Sequence, residues 1–297
     1  MTVGTTIGCK VPDGGSAGGA NPNGIDRCKS GMKATINDPK YRTLNRAVPA
    51  GSEEDWTRWN PWRAPGNAPV WDPCGRAGGA GHPTPGHGEF TNTTFAKFGD
   101  LGSGLPYYPT GTVWEAGSAV ETMQAIRANH GGGYQYRLCP RGRESSEACF
   151  QENPMNFSDS SSLMLSNGTL IKLQSTFVSE GTLPKGGTWQ MLAIPDTHHV
   201  RPHGPNGTIG PAENWAFPPP CYEPRYVENA PLGGLDEARC SGQWISNITI
   251  HDKLRVPAHL PAGQYVLGLR WDCETSAQIW QSCADITIVA PKSKGQQ

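Results

Sequence analysis

The sequence predicts an all-β protein: an immunoglobulin-like or fibronectin-like antiparallel β-sandwich with long, disulfide-stapled loops. Three observations predict it. Short segments of alternating apolar and polar residues recur after residue 110. Turn residues separate them: 38 Gly and 27 Pro among 297 residues leave little room for long helices. Nine cysteines supply the staples.

The elements follow in order. Residues 1–55 are rich in Gly, Pro, Asn and Lys and read as an irregular arm. A sandwich domain is expected over 56–291 and a frayed tail over 292–297. "TVWEAGSAVETMQAIRANH" (112–130) suits one or two strands. In "NHGGGYQYRLCP" (129–140), Tyr134, Tyr136 and Leu138 alternate with Gln135, Arg137 and Cys139, a strand that begins beside His130 and three glycines. "SLMLSNGTLIKL" (162–173) is a hairpin, with Asn167-Gly168 suited to a type I′ turn. "TWQMLAIP" (188–195) is a strand. "WISNITIHDKLRVP" (244–257) has Ile245 out of phase with Ile248 and Ile250, so a bulge or break is expected. "GQYVLGLRWDC" (263–273) puts Tyr265, Leu267, Leu269 and Trp271 on one face, and "ADITIVA" (284–290) closes the domain.

Composition narrows the function. A formal net charge of -1 without a Lys/Arg run argues against nucleic acid and anionic membranes as partners. No apolar run approaches the roughly 20 residues of a membrane span. Sequons at Asn92, Asn156, Asn167, Asn206 and Asn247, with the nine cysteines, point to a secreted glycoprotein. "MTVGTTIGCK" has no signal-peptide pattern, so the leader is expected to be missing from this chain or Met1 not to be the natural start. Asn167, at the hairpin tip, is the sequon most expected to carry a glycan. Cys139 and Cys149 flank a short hairpin-like loop, "PRGRESSEA", and are expected to pair. Cys9 with Cys28 and Cys221 with Cys240 are expected by proximity.

Two segments carry chemistry together. "ANHGGGYQYRLCP" and "AQIWQSCADITI" (277–288) resemble the copper-site segments of lytic polysaccharide monooxygenases, in Asn129-His130, Tyr136-Arg137-Leu138-Cys139-Pro140 and Cys283-Ala284-Asp285-Ile286. The resemblance implies a copper histidine brace, in which two imidazoles and a terminal amine hold the metal. It implies that His130 is a brace ligand, that Trp280 stands at the axial aromatic position and that Gln278 tunes bound oxygen. By the same analogy Cys283 pairs with Cys74, which leaves Cys273 over. No histidine precedes His82, so the first brace ligand is missing from the chain as given, and copper is expected to be absent or weakly held at a partial site.

Other candidates have simpler readings. His198, His199 and His203 fall among Pro202, Gly204 and Pro205, and read as loop histidines. His82, His87 and Glu89 read likewise. Trp56, Trp59 and Trp62 recur at threes and read as core or loop anchors rather than as a sugar-stacking platform. No G-x-S-x-G elbow or phosphate loop occurs, and nothing but count suggests Glu115, Glu121 or Asp272 as a glycosidase carboxylate pair. The expectation is a secreted glycoprotein that binds cellulose or chitin, or assembles in an extracellular matrix with like subunits, without catalysis in this form. The alternative is a copper-dependent monooxygenase that cleaves those polymers oxidatively.

Overall fold

The strand reading of residues 263–273 explains the architecture. Tyr265, Leu267, Leu269 and Trp271 all face one apolar cluster, while Val266, Gly268, Arg270 and Asp272 face the other way. The second set is also buried, so this strand is covered on both sides. The computed structural model describes residues 61–63, 65–78, 92–125, 132–164, 168, 170–173, 175–192, 249–273 and 279–291. The expected arm (1–55), the tail (292–297), Ile245, Cys9, Cys28, Cys221 and Cys240 lie outside them.

The strands are β1 (Val113–Glu115), β2 (Ala119–Gln124), β3 (Gly133–Pro140), β4 (Asn156–Phe157), β5 (Ser162–Met164), β6 (Leu170–Lys172), β7 (Phe177–Val178), β8 (Trp189–Met191), β9 (Thr249–Arg255), β10 (Gly263–Asp272) and β11 (Ile279–Val289), with one α-helix among the described residues, α1 (Glu147–Glu152). One sheet has the order β1-β11-β10-β3-β8-β7. The other has β2-β9-β5-β6, with β4 also paired to β9. The expected all-β sandwich forms, with one correction: β1 pairs with β11 in parallel, so the first sheet is mixed. The core lies between the sheets and holds Tyr134, Tyr136, Leu138, Leu163, Ile250, Leu254, Tyr265, Trp271, Ile286 and Ile288.

Two turn expectations are corrected. The expected hairpin forms between β5 and β6, but Met164 pairs with Leu170, which leaves an odd number of residues between them. A two-residue type I′ loop on Asn167-Gly168 needs an even number. Gly168 has φ 83°, the left-handed conformation that a three-residue loop asks of its last position. The "PRGRESSEA" stretch is more than a hairpin loop, because α1 starts within it at Glu147. The expected Cys139–Cys149 disulfide is formed and clamps α1 to the outer face of β3. Phe150 of α1 then lies over Gly268 of β10, where an added Cβ would be 2.7 Å from its ring.

A polar knot joins the two sheets inside the core. Asp252 of β9 accepts hydrogen bonds from the Tyr134 hydroxyl at 2.9 Å, the Tyr136 hydroxyl at 2.9 Å and the Ser161 hydroxyl. Gln190 of β8 donates to the Tyr134 oxygen at 3.0 Å and to Ser161. Burial pushes the Asp252 carboxyl above its ordinary value, and the hydroxyls of Ser161, Tyr136 and Tyr134 offset only part of this. A carboxyl with a raised folded-state pKa contributes stability at low pH, which is lost as pH rises through that pKa. In Asp252→Asn this pH-dependent part is gone. Urea midpoints from about pH 4 to about pH 8 should therefore show the variant gaining on the wild type as pH rises. A difference that does not change with pH contradicts this assignment.

Candidate functional site

The two motifs fall on two strands of one sheet, separated by a single strand. β3 carries Tyr136–Pro140, β11 carries Cys283–Ile286, and β10 lies between them. Gly133, Asp272 and Ile279 form one cross-strand row, so β3 and β11 begin at the same end of the sheet. His130 and Gln278 lie outside the described residues, as do His82, His87, Glu89, His198, His199, His203, Trp56 and Trp59. The chain reaches the row three residues after His130 and one residue after Gln278.

Trp280 is described. It pairs directly with Trp271 and packs, half-buried, against the core between the sheets. Its indole can donate a hydrogen bond but has no lone pair to offer a metal. Trp62 is buried with Val178, Trp189 and Met191, its ring 6.4 Å from that of Trp189, as the reading of a loop anchor expected. Its backbone N–H donates to the Cys273 carbonyl at 3.1 Å, and Cys273 itself is buried in the core. Among the described residues, no three of His, Cys, Asp and Glu form a group that could hold a metal ion.

Behind the row, a charged layer that the sequence reading did not identify covers the outer face of the sheet. Arg270 is fully buried and holds Asp272 through two bonds, Nε to Oδ1 at 2.7 Å and Nη2 to Oδ2 at 3.2 Å. Its Nη1 donates to Glu147 at 2.8 Å and its Nη2 to the Ala68 carbonyl at 2.8 Å. Arg137 donates to the same Glu147 oxygen. Asp272 in turn accepts the Gly66 N–H at 2.7 Å. Burial pushes the Glu147 carboxyl up, but the Arg137 and Arg270 guanidiniums outweigh it and hold it below its ordinary value. The only sequence signal for this layer was a single arginine within each of two largely apolar strands.

The segment over this layer is fixed at several points. Pro73 accepts a hydrogen bond from Gln281 of β11 at 3.1 Å, and the Cys74–Cys283 disulfide expected from the resemblance is formed. Asp285 of β11 accepts from the Tyr108 N–H at 2.8 Å and from Arg141 at 2.8 Å. Three aromatic rings on this outer layer are open to solvent: Trp71 at 43%, Tyr107 at 46% and Tyr108 at 61%. Of the sequons, Asn92 and Asn156 are exposed, while Asn167, Asn206 and Asn247 lie outside the described residues.

Comparisons with known proteins add little to this geometry. No family model matches the sequence, and no curated protein matches it. Among solved structures, the chain is similar to a lytic polysaccharide monooxygenase AA15 from Thermobia domestica in the Cu(I) state, at 13% identity and a TM-score of 0.30, over 60% of this chain and 62% of that one. It is also similar to a family 123 glycoside hydrolase from Clostridium perfringens, at 12% identity and a TM-score of 0.19, over 61% of this chain and 23% of that one.

The row has no room for a larger first residue. A Cβ on Gly133 would meet the Trp62 ring and the Gln190 carbonyl oxygen. Gly133→Ala should therefore destabilise the protein by about 1–3 kcal/mol in chemical denaturation. Gly104→Ala, where nothing lies within 4 Å, should cost far less. Equal effects would mean that Trp62 does not close on Gly133.

Proposed function

We propose that the protein is a secreted, disulfide-stapled β-sandwich that binds a cellulose- or chitin-like polysaccharide, and that it acts by binding rather than by oxidative cleavage. The observation that supports this reading best is the row Gly133–Asp272–Ile279. Two sequence motifs about 150 residues apart enter one sheet at the same end, two strands from each other, as a single site requires. The Cys74–Cys283 bond, first inferred from the same resemblance, agrees with it. The two disulfides fit an oxidising compartment. Both fix outer segments to the sheet, and loops of their lengths restrict the unfolded chain by about 3 and about 5 kcal/mol in the chain-entropy account.

Trp280 gives a wall and no metal ligand. Were copper held, His130 would supply an imidazole to it, and the bound metal would bring oxygen activation. The part of the described residues is to position: Trp62 and Asp272 fix the start of β3, and Trp271 and Trp280 close the core beneath.

The test pairs sedimentation on insoluble cellulose and chitin with a reductant-driven assay after copper loading. Retention on at least one polymer, without oxidised oligosaccharides, is expected. Oxidised products that disappear in His130→Ala would establish the monooxygenase instead. No retention on either polymer would overturn the binding role.

A further inference from the structure

Among the described residues, the tryptophans at the row are turned inward or only half-buried, so they offer no open platform to a sugar polymer. Three open rings lie on the outer layer. We propose that Trp71, Tyr107 and Tyr108 form a stacking strip along the outside of β11, and that one extended, neutral chain of pyranose rings lies on it. This rests on the polysaccharide-binding reading and moves the contact surface from the Gly133–Asp272–Ile279 row to the outer layer.

Four features carry it. First, the rings are open while the segments that hold them are not loose. Trp71 lies between Ala68, whose carbonyl is held by Arg270, and Pro73, whose carbonyl is held by Gln281. The neighbouring Asp72 accepts from the Cys74 and Ser103 N–H groups at 2.9 and 3.0 Å. Tyr108 is tied to Asp285 through its own backbone N–H, and the Thr110 hydroxyl donates to the Asp285 carbonyl at 2.5 Å. Rings presented on fixed backbone lose little freedom on binding, the condition under which exposed aromatics contribute most. Second, each tyrosine is propped from one side. Arg141 lies 6.0 Å from the centre of the Tyr107 ring, and Phe95 meets Tyr108 edge-on at 5.7 Å.

Third, the anchors follow one strand. Gln281 and Asp285 are four residues apart on the outer face of β11, or about 13 Å at the rise of a strand. Rings hung from points so far apart suit an extended polymer that crosses several sugars, rather than a single compact side-chain anchor. Fourth, the two arginines that follow β3 beside the tyrosines are paired within the protein. Arg141 is paired with Asp285 and Glu144, and Arg143 with Glu152. An acidic polymer would find no free cation among these pairs. A neutral polymer brings ring faces for stacking and hydroxyls for the exposed polar edges.

The experiment is sedimentation of the full chain on insoluble cellulose and chitin, with Trp71→Ala, Tyr108→Ala and the double variant. Met123→Ala, 60% exposed on the outside of the other sheet, is the control. The changed residues are exposed, and thermal unfolding of each variant checks that it is folded. Each ring variant should bind about threefold to tenfold more weakly, the double variant more weakly still, and the control as the wild type does. Ring variants that bind like a retained wild type would overturn the strip and leave the polysaccharide-binding reading standing. A control that loses as much as the ring variants would also overturn the strip. A wild type retained on neither polymer would remove the underlying reading and the strip with it.

Discussion

A buried arginine, Arg270, sets the conditions for the rest of the structure. It sits in β10, an interior strand of the six-stranded sheet, on the face turned away from the sandwich core, with no access to water. A guanidinium there is tolerated only if its donors are taken up. Asp272 takes two, Glu147 one and the Ala68 carbonyl one. Each partner belongs to a different element: β10 itself, α1 and the segment that crosses the outer face. Meeting the needs of one side chain therefore holds three parts of the fold in register. Removing one member of such a group costs about 3–5 kcal/mol, because the charge left behind stays buried.

The same layer explains why the sheet has two dry faces. One is covered by the second sheet, through Leu163, Ile250 and Leu254. The other is covered by α1 and by residues 65–77, secured by the two disulfides at its flanks and by Arg270 between them. The proposed stacking strip depends on this arrangement. Trp71 and the two tyrosines would be mobile on a free loop; here the segments that carry them are bonded to β10 and β11 at Ala68, Pro73 and Tyr108. Structure and proposed function thus share one set of contacts.

Much of the fold was legible in the sequence because alternation reports a face. Tyr265, Leu267, Leu269 and Trp271 were assigned to one side and are found there. The Cys139–Cys149 pair was legible because a loop this short closes at little entropic cost. The second dry face was harder to read. Arg137 and Arg270 look like solvent-facing residues in any periodicity, and only long-range partners reveal that they are buried. The Asp252 knot was hidden for the same reason, since Ser161, Tyr134 and Asp252 are separated by up to 118 residues. At the candidate site, Trp280 could be weighed against the structure, whereas His130 and Gln278 lie outside the described residues. The open rings were not legible because isolated aromatics in turn-rich segments carry no periodic signal of exposure: Trp62 is core while Trp71, nine residues on, is open.

The central claim, that the Arg270 network fastens the outer layer to the sheet, is tested most directly by native-state hydrogen exchange in Arg270→Met. The Gly66 amide reports the layer, because it donates to Asp272, and the Leu138 amide reports the sheet, because it donates to the Asn153 carbonyl. In the wild type both should exchange slowly. In the variant, Gly66 should exchange at least about a hundredfold faster, equivalent to about 3 kcal/mol of local protection, while Leu138 keeps substantially more of its own. Protection that falls by the same factor at both amides, or at neither, would contradict the account.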